Sequence, residues 1–189
     1  MKKILFAILI LLACQNLQAQ EEQLTWHTDI NKAIELSKAE QKPMFLFFTG
    51  SDWCGWCMRL QSEVFKKPEF IQWAKEKVIL VELDFPRRTQ QPDALRQQNM
   101  QMQQVFQPRG YPTVYIVKPT VVDGKTNFEQ LGQTGYVAGG PEKWLAGANE
   151  MIARYVPDPK PVTTEPVKAP AKKKAPAPKK QPATTPKKK

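Results

Sequence analysis

The chain has 189 residues, which suits a single folded domain, and carries a formal net charge of +10. The excess positive charge lies at the two ends, because residues 20–156 contain basic and acidic residues in equal number. A basic nucleic-acid-binding domain is therefore excluded for the folded part of the chain.

Residues 1–19 have the pattern of an export signal. Two lysines precede an uninterrupted apolar run, Ile4 to Ala13, which is shorter than the ~20 residues of a membrane-spanning helix and suits a signal peptide. Cleavage after Ala19 would release a soluble protein, whereas cleavage before Cys14 would leave a lipidated N-terminal cysteine. We favour the soluble form. Both routes export the chain to an oxidising compartment, so we predict a periplasmic or secreted protein.

Residues 20–156 alternate helical and strand patterns. The first half predicts a helix capped by Asp29 and ending near Glu40, a strand over 44–48, helices over 54–66 and from Pro68, and a strand over 78–84. The second half predicts a helix over 92–106, strands over 113–117 and 127–132 joined by a turn at Asp123-Gly124, and a helix from Gly140. This order predicts an α/β sheet with helices on both faces.

Residues 157–189 form a tract rich in proline, alanine and lysine that has no aromatic residue. Proline at this density interrupts helices and sheets, and little apolar surface is available for burial, so we predict a disordered basic tail. Lysine clusters bind phosphate, which would suit nucleic acid. Because we expect the chain to be exported, we prefer a tether that rests on anionic envelope polymers or lipid head groups.

The residues with the clearest chemistry are Trp53-Cys54-Gly55-Trp56-Cys57, between a buried strand and a helix. Their spacing puts both sulfur atoms on one helical face, close enough for a disulfide. Cys54 would lie at the helix N-terminus, where free N–H groups and the helix dipole stabilise a thiolate. Cys57, one turn further in, suits a resolving thiol. Trp53 and Trp56 would form an apolar rim for protein substrates.

Other uses of the cysteine pair are less favoured. A zinc site would need two more ligands, and His27, the only histidine, supplies at most one. Attachment of c-type haem needs a histidine after the second cysteine, where this chain has Met58. A purely structural disulfide stays open, although so short a loop adds little stability. We therefore predict no cofactor and no metal.

Two motifs resemble the thioredoxin superfamily: the Trp-Cys-Gly-Trp-Cys sequence after a hydrophobic strand, and Gly-Tyr-Pro-Thr at 110–113, which opens a later strand. The resemblance covers 20–156, and it is greatest to exported bacterial thioredoxin-like thiol–disulfide interchange proteins. It implies a thioredoxin fold with a central mixed sheet of about four to five strands. It also implies a redox-active disulfide in which Cys54 is the nucleophile and Cys57 the resolving thiol.

The same resemblance implies that Pro112 is a cis-proline and that the backbone of Tyr111 pairs with an extended substrate. Two positions depart from it. The buried aspartate of thioredoxin, six residues before the first cysteine, corresponds to Phe48, and the lysine of the neighbouring strand falls at about Leu80. Glu82 or Asp84 would be the acids available to replace this proton relay. We interpret Arg59 and Glu63, on the cysteine helix, as solvent-facing residues.

The predicted function is that of an exported thiol–disulfide oxidoreductase, which acts on protein disulfides and is recharged by a redox partner. No histidine lies between the cysteines, so we expect a reductase or isomerase, toward the lower end of the ~−270 to −120 mV range of such proteins. The alternative is a non-catalytic thioredoxin-fold adaptor with a structural disulfide and a basic tether. A thiol peroxidase is less favoured, because its site usually has a lone cysteine beside threonine or arginine.

Overall fold

The structure is a computed structural model, and it describes residues 23–159. The predicted signal peptide, Cys14 and the predicted tail after residue 159 lie outside the described residues. Within 23–159, no helix has the length and apolar character needed to cross a lipid bilayer.

All the predicted helices and strands are present. In chain order they are α1 (Ile30–Glu40), β1 (Met44–Thr49), α2 (Gly55–Leu60) with a π-helical continuation (Gln61–Phe65), α3 (Pro68–Lys77), β2 (Ile79–Asp84), α4 (Asp93–Phe106), β3 (Thr113–Val122), β4 (Lys125–Thr134) and α5 (Gly140–Ile152). Asp29 caps α1 as expected: its carboxylate accepts hydrogen bonds from the N–H groups of Asn31 and Lys32 at 2.8 and 3.2 Å.

The hairpin strands β3 and β4 are longer than the sequence predicted, because their pairing continues up to the turn at Asp123 and Gly124. Both turn residues have positive φ angles, 52° and 74°, as the Asp-Gly pair suggested. Most residues in the outer half of the hairpin are exposed on both faces. Without a buried face, this half shows no apolar alternation from which a strand could be recognised.

The four strands form one mixed sheet in the order β2-β1-β3-β4, with β1 parallel to β2 and antiparallel to β3. This agrees with the predicted α/β architecture and strand number. Every residue of the central strand β1 is buried. Helices therefore cover both faces of the sheet, and β1 carries the chain from the middle of the core to the cysteine pair.

The side chains of β1 alternate between two cores. Phe45 and Phe47 pack on one face with both cysteines and with residues of α3 and α5. Phe48 packs on the other face with residues of α1 and α4. The assignment of Phe48 to the position of the aspartate beside the cysteines is therefore wrong, and the β1 residues on the cysteine side are Phe45 and Phe47. Counting back from Cys54 failed because an error of one residue moves a strand side chain to the opposite face.

Candidate active site

The cysteine pair lies where β1 leads into α2. Cys54 is the N-cap of α2, and the backbone N–H of Cys57 donates to Cys54 Sγ at 3.2 Å. The two sulfur atoms form a disulfide with an S–S distance of 2.06 Å. Cys54 is 6% exposed, whereas Cys57 is fully buried. An incoming thiol or disulfide therefore has access only to the sulfur at the helix N-terminus.

Two carboxylates hold the loop before Cys54 against the loop that follows β2. The Asp52 carboxylate accepts hydrogen bonds of 2.7–2.9 Å from the backbone N–H groups of Arg87, Arg88 and Thr89. The Asp84 carboxylate accepts from the backbone and hydroxyl of Ser51 at 2.8 and 2.6 Å. The N–H of Arg87, assisted by the other two N–H donors, lowers the pKa of Asp52 to about 2 despite partial desolvation. The ionised Asp52 carboxylate therefore holds in place the loop that leads to Cys54.

Replacing Asp52 with asparagine should lower the urea midpoint of unfolding at pH 7, because the amide cannot accept all three hydrogen bonds. The Asp52 pKa is about 2 in the folded chain, against ~3.9 in an unfolded one. Its stabilising contribution is complete above the unfolded pKa and is lost as the pH falls toward 2. The difference between wild type and variant should therefore shrink between pH 4 and pH 2.

The matched control is Asp123→Asn, in the hairpin turn, where asparagine also tolerates the positive φ angle. It should leave the urea midpoint unchanged at every pH. An Asp52→Asn effect that is the same at pH 7 and pH 2.5 would show that its carboxylate charge does not hold the loop.

Trp53 links this loop to the segment before Pro112. Its indole N–H donates to the carbonyl oxygen of Phe85 at 2.8 Å, and the Arg87 guanidinium lies 3.8 Å from its ring centroid. The Trp53 ring meets that of Tyr111 edge-on at 5.7 Å. The Tyr111–Pro112 peptide bond is cis. Trp53 and Tyr111 both pack against the core that contains the cysteines, while their role in substrate binding, like that of Pro112, stays a prediction.

Trp56, the other predicted rim residue, is 55% exposed and belongs to a group that the sequence did not reveal. Its ring centroid lies 5.2 Å from that of Tyr136 and 5.4 Å from the Arg59 guanidinium. Arg59 Nε donates to Glu63 Oε1 at 2.7 Å, and the Tyr136 hydroxyl donates to Glu63 Oε2. We call Trp56, Arg59, Glu63 and Tyr136 the Trp56 cluster. The hydrogen bonds that Glu63 accepts lower its pKa, and the bond from Tyr136 has the largest effect, followed by the bond from Arg59.

Arg59 and Glu63 face solvent as predicted, with side chains 53% and 36% exposed, and they also form an ion pair that the sequence analysis did not name. Their i, i+4 spacing was a readable signal for an ion pair on one helix face. Nothing in the sequence pointed to Tyr136, which follows β4 and is 73 residues away from Glu63. Only the fold brings that hydroxyl to the cysteine helix.

The structure distinguishes the two acids that the sequence left open as replacements for the proton relay. Asp84 already accepts two hydrogen bonds from Ser51. Glu82 pairs in register with Phe47 and, by strand alternation, points to the cysteine side with Leu80. Burial, with a smaller contribution from the Asp84 charge, raises the pKa of Glu82. Glu82 is therefore the better candidate for a proton relay, and that role stays a prediction.

Within 23–159, no group of three or more histidine, cysteine, aspartate or glutamate side chains is placed to hold a metal ion. His27 contributes its backbone to the edge of β2, where its N–H donates to the Leu80 carbonyl and its carbonyl accepts from the Glu82 N–H, both at 2.9 Å.

Comparison with known proteins identifies the family of this chain. The family model described as "Thioredoxin-like" matches residues 25–119. The disulfide bond reductase DsbH of Chlamydia pneumoniae is 37% identical over 121 residues, which cover 64% of this chain and 69% of DsbH. The thioredoxin-related protein DsbJ of Chlamydia pneumoniae is 32% identical over 61% of this chain, but this match spans only 34% of DsbJ.

Solved structures give the same result. A DsbH oxidoreductase superposes with a TM-score of 0.61 at 31% identity, covering 70% of this chain and 86% of that chain. A thioredoxin from Thermus thermophilus superposes with a TM-score of 0.50 at 14% identity, covering 67% and 85%, and supports the fold alone. The chain therefore belongs to the thioredoxin-like family and is a thiol–disulfide oxidoreductase with a thioredoxin fold.

Proposed function

We propose that this oxidoreductase is an exported reductase of protein disulfides, with Cys54 as the nucleophile and Cys57 as the resolving thiol. The observation that carries the proposal is the unequal placement of the two sulfur atoms. Cys54 caps α2 and keeps 6% exposure at the helix N-terminus, which stabilises a thiolate, whereas Cys57 is fully buried.

The reaction starts from the reduced pair. The Cys54 thiolate attacks one sulfur of a substrate disulfide, the substrate S–S bond breaks, and the departing substrate sulfur takes up a proton. A mixed disulfide then joins Cys54 to the substrate. The Cys57 thiolate attacks Cys54 Sγ, releases the second substrate thiol, and forms the Cys54–Cys57 disulfide. The substrate gains two electrons, and a dithiol partner protein must supply two to regenerate the reduced enzyme.

Reduction is preferred over oxidation for two reasons. The dipeptide between the cysteines is Gly55-Trp56, which has no charge to stabilise the reduced form further and make the disulfide strongly oxidising. The similarity to a protein named as a disulfide bond reductase supports the same direction. Isomerisation uses the same sulfur chemistry, and it would occur when Cys54 attacks a wrongly paired disulfide and the substrate rearranges before Cys57 acts.

The proposed location is periplasmic or secreted, and its support is the sequence pattern of residues 1–19. The proposed partners are proteins that contain disulfides, a dithiol partner that recharges the site, and an anionic envelope surface for the basic tail. Nucleic acid is not among them, because the charge of 20–156 is balanced and we expect the chain, with its basic tail, to be exported.

Insulin reduction in the presence of dithiothreitol tests the proposal directly. The wild-type protein should accelerate the precipitation of the insulin B chain, and Cys54→Ser should return the rate to the uncatalysed background. Asp123→Asn, in the hairpin turn, is the control and should retain full activity. Equal background rates for wild type and Cys54→Ser would contradict the proposal and favour the non-catalytic adaptor.

Equilibration with glutathione buffers tests the direction. The Cys54–Cys57 pair should have a reduction potential closer to ~−270 mV than to ~−120 mV. A reduction potential near ~−120 mV would make the protein an oxidant and contradict the assignment as a reductase.

A further inference from the structure

The Trp56 cluster combines an exposed aromatic ring with contacts that restrict its movement. More than half of the Trp56 side chain faces solvent, and this residue lies between the two cysteines. One side of its ring contacts Tyr136 at a tilt of 45°, and the Arg59 guanidinium lies over the ring. Tryptophan, tyrosine and arginine are the residue types that most often contribute the binding energy of protein contacts, and all three occur together in the Trp56 cluster.

The residues that restrict Trp56 are themselves held by one carboxylate. Glu63 accepts from Arg59 through Oε1 and from the Tyr136 hydroxyl through Oε2, so each oxygen has its own donor. Arg59 also lies over the Tyr136 ring at 5.3 Å. Every member of the Trp56 cluster thus contacts at least two others, which restricts the rotamers of Trp56 before any substrate arrives.

The Trp56 cluster also joins the cysteine helix to the segment that follows β4. Trp56, Arg59 and Glu63 belong to the cysteine helix and its π-helical continuation. Tyr136 follows Gly135, where an added Cβ atom would lie 3.1 Å from the Pro112 carbonyl oxygen. The Arg59 and Glu63 charges cancel, so the exposed Trp56 ring presents an apolar surface with no net charge.

We propose that Arg59, Glu63 and Tyr136 are positioning residues that hold Trp56 as a docking surface for an apolar or aromatic side chain of a protein substrate. This inference rests on the proposed function and names the substrate class: polypeptide segments with an apolar residue near the target disulfide. Pre-ordering Trp56 lowers the entropy that binding must overcome. The Trp56 cluster determines affinity for protein substrates and leaves the sulfur chemistry unchanged.

Tyr136→Phe is the sharpest test, because it removes only the hydroxyl that reaches Glu63. The full-length variant should raise the KM for insulin by about threefold to tenfold, because substrate binding must then immobilise a Trp56 side chain that is no longer fully held in place. Its kcat, its reduction potential and its rate with hydroxyethyl disulfide, which is too small to reach the docking surface, should match wild type. Adding Tyr136→Phe to Trp56→Ala should raise the KM no further than Trp56→Ala alone.

The control is Tyr155→Phe, which removes a hydroxyl from a tyrosine packed against the same core but outside the Trp56 cluster. Tyr155→Phe should leave the KM for insulin and the rate with hydroxyethyl disulfide unchanged. An unchanged KM for insulin in Tyr136→Phe would overturn the inference. An equal fall in activity toward insulin and toward hydroxyethyl disulfide would overturn it as well.

A binding measurement separates this inference from the proposed function. Fluorescence anisotropy of a labelled, cysteine-free peptide rich in aromatic residues should give a Kd that rises in Tyr136→Phe and is unchanged in Tyr155→Phe. An unchanged Kd in Tyr136→Phe would overturn the docking surface. If the wild type fails to reduce insulin but the Kd still rises, the reductase proposal fails and the docking surface stands.

Discussion

Replacing Cys57 with serine should trap protein substrates as mixed disulfides through Cys54, and multiple turnover of insulin should stop. The first attack needs only Cys54 at the start of α2, whereas release of the mixed disulfide needs the buried Cys57. Cys54→Ser should trap nothing, because Cys57 is fully buried. Non-reducing gel electrophoresis followed by mass spectrometry of the trapped species measures both outcomes.

The same asymmetry should appear in the reduced wild-type protein. At pH 7 an alkylating reagent should label Cys54 faster than Cys57, with an apparent pKa for Cys54 below the ~8.5 of a free thiol. The cause is the position of Cys54 at the helix N-terminus, so the absence of an aspartate on β1 should not remove it. If peptide mapping shows Cys57 reacting first, or both at free-thiol rates, the assignment of the two roles is wrong.

Gly50→Ala is expected to damage both stability and activity, because the loop before the cysteines leaves no room for a methyl group. An added Cβ atom would lie 2.4 Å from Cε2 and Nε1 of Trp53. The indole is rigid and is held by the Phe85 carbonyl and the Arg87 guanidinium, so the ring or the loop must move. Overpacking of this kind costs about 1–3 kcal/mol of unfolding free energy.

Displacement of Trp53 should also slow insulin reduction, because its ring packs against Tyr111 beside Pro112. The matched control is Gly147→Ala in α5, where an added Cβ atom has no neighbour within 4 Å. That change should stabilise the protein by about 0.5–1 kcal/mol, because alanine favours a helix over glycine. Urea unfolding measures both variants. Equal stability and activity of wild type and Gly50→Ala would show that the loop can move freely.

The features that the sequence determined by itself are those that depend on neighbouring residues. The Asp29 cap, the helix start at Cys54 and the Asp123-Gly124 turn were all predicted correctly. Each is local, because capping, dipole and turn effects act within one turn of the chain. The unbroken apolar run of β1 likewise indicated a strand buried on both faces.

The tertiary structure alone decided which distant side chains meet at the site. It placed Phe47 rather than Phe48 on the cysteine side, brought Asp52 to the loop after β2, and joined Tyr136 to Glu63. A strand places successive side chains on opposite faces, so one residue of uncertainty in the loop before Cys54 reverses the prediction. Contacts between residues far apart in sequence depend on how the sheet and helices pack, and no local pattern of residues encodes that packing.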